Sequence, residues 1–180
     1  MNIPELSDLL GTPVTGGAEI DLSKPGPVRS RVRPPPQVVT AAVTRGVCRW
    51  LGDLGFSTLV EFKLGNGRRA DVVGLGASGE LWIVEIKSSI EDFRVDRKWP
   101  DYRCSCDRLF FATHAAVPSG IFPEDTGLIM ADAYGAELLR EAPEHRLAAA
   151  TRKAMLVRFA QAAAHRLHGL VDPAAGDPGW

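Results

Sequence analysis

The sequence predicts a mixed α/β domain, with a three-strand meander and further strands in one mixed sheet and helices on its faces. Three observations predict it. Two glycine-rich turns, Gly65-Asn66-Gly67 and Gly76-Ala77-Ser78-Gly79, separate three runs rich in β-branched and aromatic residues. Helical periodicity stands before and after this block. The unbroken apolar run Leu81-Trp82-Ile83-Val84 implies a strand buried on both faces, hence one near the middle of the sheet.

Met1 to Pro36 reads as a disordered tail, because its Pro, Gly, Ser and Thr density leaves too little apolar surface to offset ordering entropy. Gln37 to Leu54 is an amphipathic helix: Val39, Val43, Val47, Trp50 and Leu54 recur at intervals of three and four, and Gly55 follows as its C-terminal stop. Ser57 to Leu64, Arg69 to Leu75 and Glu80 to Lys87 are the meander strands. Ser88 and Ser89 stand three residues before Glu91 and Asp92, the spacing of a capping box, so a charged helix is expected to run to about Lys98. Trp99-Pro100 breaks it. Arg108 to Thr113 and Gly127 to Ala131 are further strands, and Ala136 to Arg140 pairs back onto the latter. Pro143 and Glu144 open a last helix reaching about Leu170, with Leu147, Ala150, Ala154, Val157 and Leu167 as its apolar stripe and Met155, Leu156 and Phe159 widening it. Val171 to Trp180 is a second tail. The folded domain is expected at residues 37–170.

Composition narrows the function. The chain has 180 residues, 45% hydrophobic and 24% charged, which is ordinary for a soluble globular protein. Its net charge of −1 excludes a globally basic nucleic-acid binder, so any DNA contact must come from a local patch. Three cysteines give no disulfide framework and fit a reducing compartment. Neither a secretory leader nor an apolar stretch of membrane-spanning length is apparent, so a cytoplasmic protein without membrane attachment is expected.

The meander carries the chemistry. Asp71 precedes an apolar pair on the second strand, and Glu85 and Lys87 interrupt the most strand-like run in the chain. Charges are rarely buried unless paired or holding a metal. A three-residue turn centred on Ser78 sets Asp71 opposite Glu85, and one centred on Asn66 sets Glu61 opposite Asp71. Glu61, Asp71 and Glu85 then form one row across three strands, with Lys87 on the same face. A two-residue turn at either place would shift the parity and move a carboxylate to the other face. Such a row of hard oxygen ligands suits Mg²⁺ or Mn²⁺. A lysine beside the ion would handle an attacking water or the charge that develops on phosphorus. The bland alternative is a structural ion-pair network. Nearby, Arg94, Arg97, Lys98 and Trp99 interleave charge with an aromatic ring, which suits phosphates and an unstacked base; the competing reading is a solvated helix with Trp99 as a packing plug.

These residues resemble the PD-(D/E)xK nuclease superfamily, whose pattern is an aspartate on the second core strand and Glu/Asp-x-Lys on the third. Here they are Arg69-Ala70-Asp71 and Glu85-Ile86-Lys87, with Ala70 in place of the usual proline. The first helix lacks the glutamate that joins the site in some relatives, and Glu61 is the nearest substitute. More closely, the chain resembles the MmcB-like DNA repair proteins, a bacterial family linked to the DNA-damage (SOS) response. The match rests on Arg69-Ala70-Asp71-Val72, Trp82 to Ser89, Asp92-Phe93, Asp96 to Tyr102 with its Lys-Trp-Pro-Asp-Tyr block, and Cys106 to Ala112. The resemblance implies a restriction-endonuclease-like fold and a role in repair, with Asp71, Glu85 and Lys87 catalytic and Mg²⁺ or Mn²⁺ held by Asp71, Glu85 and Glu61. DNA that is single-stranded, damaged or branched would be contacted by Arg69, Arg94, Arg97, Lys98 and Trp99, with Ser88 and Tyr102 in support. A homodimer or a repair-protein partner is a further expectation. The superfamily also includes inactive DNA-binding members, so scaffolding is the alternative to cleavage.

Overall fold

The computed structural model describes residues 34–173. The expected tails lie outside these residues over 1–33 and 174–180.

Helix α1 spans Pro36–Asp53. Proline at its first position is expected there, since that N–H has no intrahelical partner. Gly55 ends the helix at φ +83°, where Phe56 N donates to Leu51 O and Gly55 N to Gly52 O, each at 2.9 Å. This is a Schellman closure. The helix buries Val43, Gly46, Val47 and Leu51. Leu54, expected in the stripe, is exposed because it lies one residue past the last helical turn.

The burial of Gly46 has a steric cause. A Cβ there would lie 2.1 Å from Asp132 O and 2.4 Å from Gly135 O. That turn is braced by Asp132, whose carboxylate accepts Tyr134 N and Gly135 N, and by Arg49, which donates to Ala133 O. It cannot yield cheaply. Gly46→Ala is therefore expected to destabilise the fold by roughly 1–3 kcal/mol. Gly52→Ala on the same helix meets open space and should be neutral to stabilising by up to about 1 kcal/mol. Thermal melts of the two variants check both signs.

Strands β1 (Ser57–Lys63), β2 (Arg69–Leu75) and β3 (Leu81–Ile86) form the antiparallel meander. The two hairpins are built alike. Gly67 N donates to Leu64 O in one and Gly79 N to Gly76 O in the other. Gly67 and Gly79 adopt φ of +81° and +82°, and the loops close through Leu64 N to Arg68 O and Gly76 N to Glu80 O. Both are three-residue turns with glycine in the left-handed position, and both registers follow the expected parity: Val60 faces Val72 and Phe62 faces Ala70; Val72 faces Val84.

Strand β4 (Arg108–Thr113) runs parallel to β3, and β5 (Gly127–Ala131) parallel to β4; β6 (Ala136–Arg140) returns antiparallel. The sheet is mixed, six-stranded and ordered β1-β2-β3-β4-β5-β6, so β3 is central as its apolar run implies. On one face α1 covers Val72, Val84, Ile86, Phe110 and Ile129. On the other, Met155 and Phe159 of helix α3 (Ala149–Val171) pack on Phe62, Leu64, Val73 and Ile83. A third cluster joins Phe111, Phe122 and Leu128 to Phe93 and Trp99.

Two boundaries depart from expectation. Helix α2 spans Ile90–Val95 and stops short of Lys98. Asp96 turns to extended backbone, where its carboxylate takes Lys87 Nζ at 2.6 Å and Lys98 N at 2.9 Å. A 3₁₀ segment, Trp99–Ser105, follows. Helix α3 starts at Ala149, not near Pro143, because buried Asp107 holds the preceding segment out of the helix. Its main-chain oxygen accepts His145 N at 2.7 Å and its carboxylate accepts Leu147 N at 3.0 Å. The α3 core face is Met155 and Phe159, both expected to widen the stripe; Leu147 packs against the same cluster, and the other stripe residues, Ala150, Ala154, Val157 and Leu167, are exposed.

Candidate active site

Asp71 and Glu85 meet where β2 and β3 end their ladder. The two side chains reach across reciprocally: Asp71 Oδ2 accepts Ile86 N at 2.8 Å, and Glu85 Oε1 accepts Asp71 N at 3.3 Å. The turn at Ser78 brings them together, as its length predicts. Glu85 is 3% exposed and Asp71 half-buried. Lys87, 5% exposed, sits beside them with Nζ 3.7 Å from Glu85 and 2.6 Å from Asp96. It also lies 6.0 Å from the centre of the Phe111 ring.

Glu61 departs from the expected row. It keeps its place in the β1–β2 count but has φ +49°, a left-handed conformation uncommon for a residue with a side chain. Its carboxylate turns to Arg69, at 2.6 Å, and stays about half exposed. The backbone reversal has a second effect. Val60 lines a cleft beside α1, whereas Phe62 is buried in the cluster beneath α3. Residues two apart on a strand normally share a face, and the kink at Glu61 breaks that rule. Such strain in a strand next to conspicuous charges is typical of working sites. Among the described residues no group of three or more His, Cys, Asp or Glu side chains is arranged to hold a metal ion. The expected row thus reduces to two adjoining carboxylates and a lysine, with Glu61 at their edge.

The electrostatics of the trio follow from burial. Burial first and the neighbouring Asp71 charge second push the Glu85 pKa up to about 8, against the opposing pull of Lys87 and the Asp71 N–H. Asp71 is also raised: burial dominates over the Ile86 N–H and Lys87, and Glu61 and Asp92 add repulsion. For Lys87, burial pushes the pKa down, but Asp96, Glu85 and Asp71 outweigh it and hold the ammonium above the ordinary lysine value. Asp96 ends below the ordinary carboxylate value because Lys87 and two backbone amides overcome its burial. Tyr102 donates to Arg69 O at 3.1 Å, and burial together with the Glu85 and Asp71 charges keeps its phenol protonated.

The remaining expected residues scatter. Ser88 N and Oγ donate to Asp92 Oδ2 at 3.0 and 3.4 Å, while Ser89 Oγ accepts Asp92 N. The serines therefore shape the start of α2, and both line the cleft with Asp71. Arg94, Arg97 and Lys98 are exposed but do not line that cleft. Trp99 is a packing residue: its ring meets the edge of Phe111 at 5.6 Å, and the Arg103 guanidinium lies 5.5 Å from its centre. The plug reading describes it better than an open stacking platform. Asp96, the nearest partner of Lys87, was legible only as one charge in a helical run. Its signal was indirect: a buried lysine needs a carboxylate within reach, and Glu85 alone, already crowded by Asp71, does not suffice.

The cleft occupies about 710 Å³. α1 forms one wall through residues from Pro36 to Cys48, and Val60, Glu61, Ser88, Ser89 and Asp92 form the other, with Asp71 between them. Glu85 and Lys87 lie behind Asp71.

Comparison with known proteins places this geometry. A solved structure of a protein of unknown function from Silicibacter pomeroyi is similar, with a TM-score of 0.75 and 44% sequence identity over 79% of this chain and 97% of that one. Among curated proteins, none matches. No described helix is long and apolar enough to cross a membrane. The family model for DNA repair protein MmcB-like matches residues 33–174, which takes in every element described above. The chain belongs to the MmcB-like family of DNA repair proteins.

Proposed function

We propose that this protein is a metal-dependent deoxyribonuclease of the PD-(D/E)xK type acting in DNA repair. One observation carries the reading. Glu85 is buried beside half-buried Asp71, the two carboxylates accept Asp71 N and Ile86 N across adjoining strands, and burial together with the Asp71 charge pushes the Glu85 pKa up to about 8 despite Lys87. A divalent cation is the group that such a pair lacks. The donor set fits Mg²⁺ or Mn²⁺, which take hard oxygen ligands and usually keep several waters beside one or two carboxylates. Asp71 and Glu85 would hold the ion, with Glu61 able to join only by leaving Arg69. When bound, the ion would polarise a water and offset phosphoryl charge.

The chain's own groups have separate tasks. Lys87 is held as a cation, so it stabilises negative charge and is a poor proton acceptor. Asp96 fixes its position. Tyr102 pins the Arg69 carbonyl two residues before Asp71. A second reading, a DNA-binding scaffold without cleavage, draws on the same ion pairs: Lys87 and Glu61 are already neutralised within the protein.

The test is incubation with single-stranded, nicked and branched DNA in Mn²⁺ or Mg²⁺. The wild type should cleave, and Asp71→Ala and Lys87→Ala should each lose roughly 100-fold or more, the order seen when a charge-stabilising group is removed. Cleavage that survives in both variants rules out this site. Binding with no cleavage by any form supports the scaffold.

A further inference from the structure

We infer that the cleft between α1 and β1 admits an unpaired DNA strand and keeps a duplex away from Asp71. This rests on the reading of Asp71 as the phosphodiester site. Asp71 lines the open cleft between the two walls, and Glu85 and Lys87 do not line it and are 3% and 5% exposed. A phosphate that meets Asp71 therefore lies in the cleft. At about 710 Å³ the space suits a nucleotide or two, within the roughly 300–1,000 Å³ of sites that enclose small ligands.

The walls match that occupant. Pro36, Ala41 and Val60 offer apolar surface to a base or sugar, and Arg45 offers a cation at the wall. The acidic side holds Asp71 and Asp92, which repel phosphates until a divalent cation offsets them, while Glu61 is paired with Arg69. Strand affinity should accordingly rise with divalent ion.

α1 forms the wall that a duplex approaching Asp71 would meet. A major groove about 12 Å wide admits a helix, but duplex affinity comes mainly from Lys and Arg on phosphates. The α1 sequence contains two arginines and no lysine. Of these, Arg49 is bonded to the carbonyls of Ala133 and Tyr134. At the other wall Arg69 is paired with Glu61. Among the described residues, neither wall lines the cleft with the row of cations that a duplex needs.

The experiment is fluorescence anisotropy with a labelled single strand and the blunt duplex of the same sequence, with and without Ca²⁺. Wild type is compared with Ala41→Trp, which fills the cleft from an exposed helix position, and with Arg45→Glu. Circular dichroism checks the fold of each. The wild type should bind the single strand at least tenfold tighter than the duplex, more tightly with Ca²⁺, and Ala41→Trp should abolish the preference. Arg45→Glu should weaken the single strand several-fold and flatten its salt dependence. Equal or tighter duplex binding, no binding of either, or an undiminished preference in folded Ala41→Trp overturns the inference; if Ala41→Trp does not fold, Arg45→Glu decides. Wild type that cleaves duplex as fast as single strand also overturns it, yet leaves the nuclease intact. A cleft-dependent preference in a protein that cleaves nothing does the reverse.

Discussion

Asp107→Ala should lower the folding free energy by about 3–5 kcal/mol, the usual cost of stripping one partner from a buried ion pair. Asp107 is 2% exposed and receives Arg152 through both oxygens, at 2.6 and 2.8 Å. The same carboxylate accepts Leu81 N at 2.8 Å and Leu147 N at 3.0 Å. One side chain thus fastens the start of β3, the segment before α3, and α3 itself. Its loss leaves two amides and a guanidinium to find new partners, and buried polar groups without partners cost about 1–3 kcal/mol each. Urea denaturation of Asp107→Ala, Arg152→Met and the double variant checks the claim. The double variant should be about as stable as Asp107→Ala alone, since Arg152, 24% exposed and also bonded to Gly79 O, keeps water and a carbonyl as partners. Acid should act in the same direction. Burial alone would raise the Asp107 pKa, but Arg152 and the amides of Leu147 and Leu81 hold it below the ordinary carboxylate value. The folded pKa is depressed, so this stability is present above the ordinary carboxylate value and is lost as pH falls through the folded one.

The second large effect runs the opposite way with pH. Metal-free protein should lose stability as pH rises from about 4.5 to about 8, because Glu85 ionises near 8 in the fold and near 4.5 when exposed. Its folded pKa is raised, so the folded state holds a proton that the unfolded state has released across this window. Below it the cost is absent; above it the cost is complete, of the order of a few kcal/mol on a scale of about 1.36 kcal/mol per unit. Glu85→Gln should flatten the slope and leave the protein more stable than wild type at pH 8.5. On the metal reading, saturating Mg²⁺ should restore stability to the wild type at that pH and do nothing for Glu85→Gln. Melting temperatures across the pH range, with and without Mg²⁺, give all four curves. A flat wild-type profile would place Glu85 in the ordinary carboxylate range and remove the chief argument for a cation.

The parts of this protein that could be read from its sequence are those that local rules decide. Glycine in the left-handed position of each hairpin sets loop length, loop length sets parity, and parity brings Asp71 to Glu85. The central place of β3 follows from its apolar run in the same way. What escaped was decided by contacts between distant segments. Asp107 claims the amide of Leu147 and delays α3. Lys87 draws Asp96 out of α2. Glu61 follows the expected register, yet its left-handed backbone turns it to Arg69, and no residue pattern announces a kink in a non-glycine residue. The α3 stripe was legible in part: Met155 and Phe159 at its margin form the buried face, but on a helix apolar on more than one side periodicity could not rank them above Ala150, Ala154 and Val157.

The paired hairpins also constrain how such a sequence can change over evolutionary time. Because side chains alternate along a strand, one residue inserted between Leu64 and Arg68, or between Gly76 and Glu80, would reverse the orientation of everything on one side of the turn. A lineage can vary the letters of these loops freely, outside Gly67 and Gly79, but can alter their length only by even steps or alongside a compensating bulge. Loop length, ordinarily the most tolerant property of a surface segment, is here coupled to the charged residues it aligns.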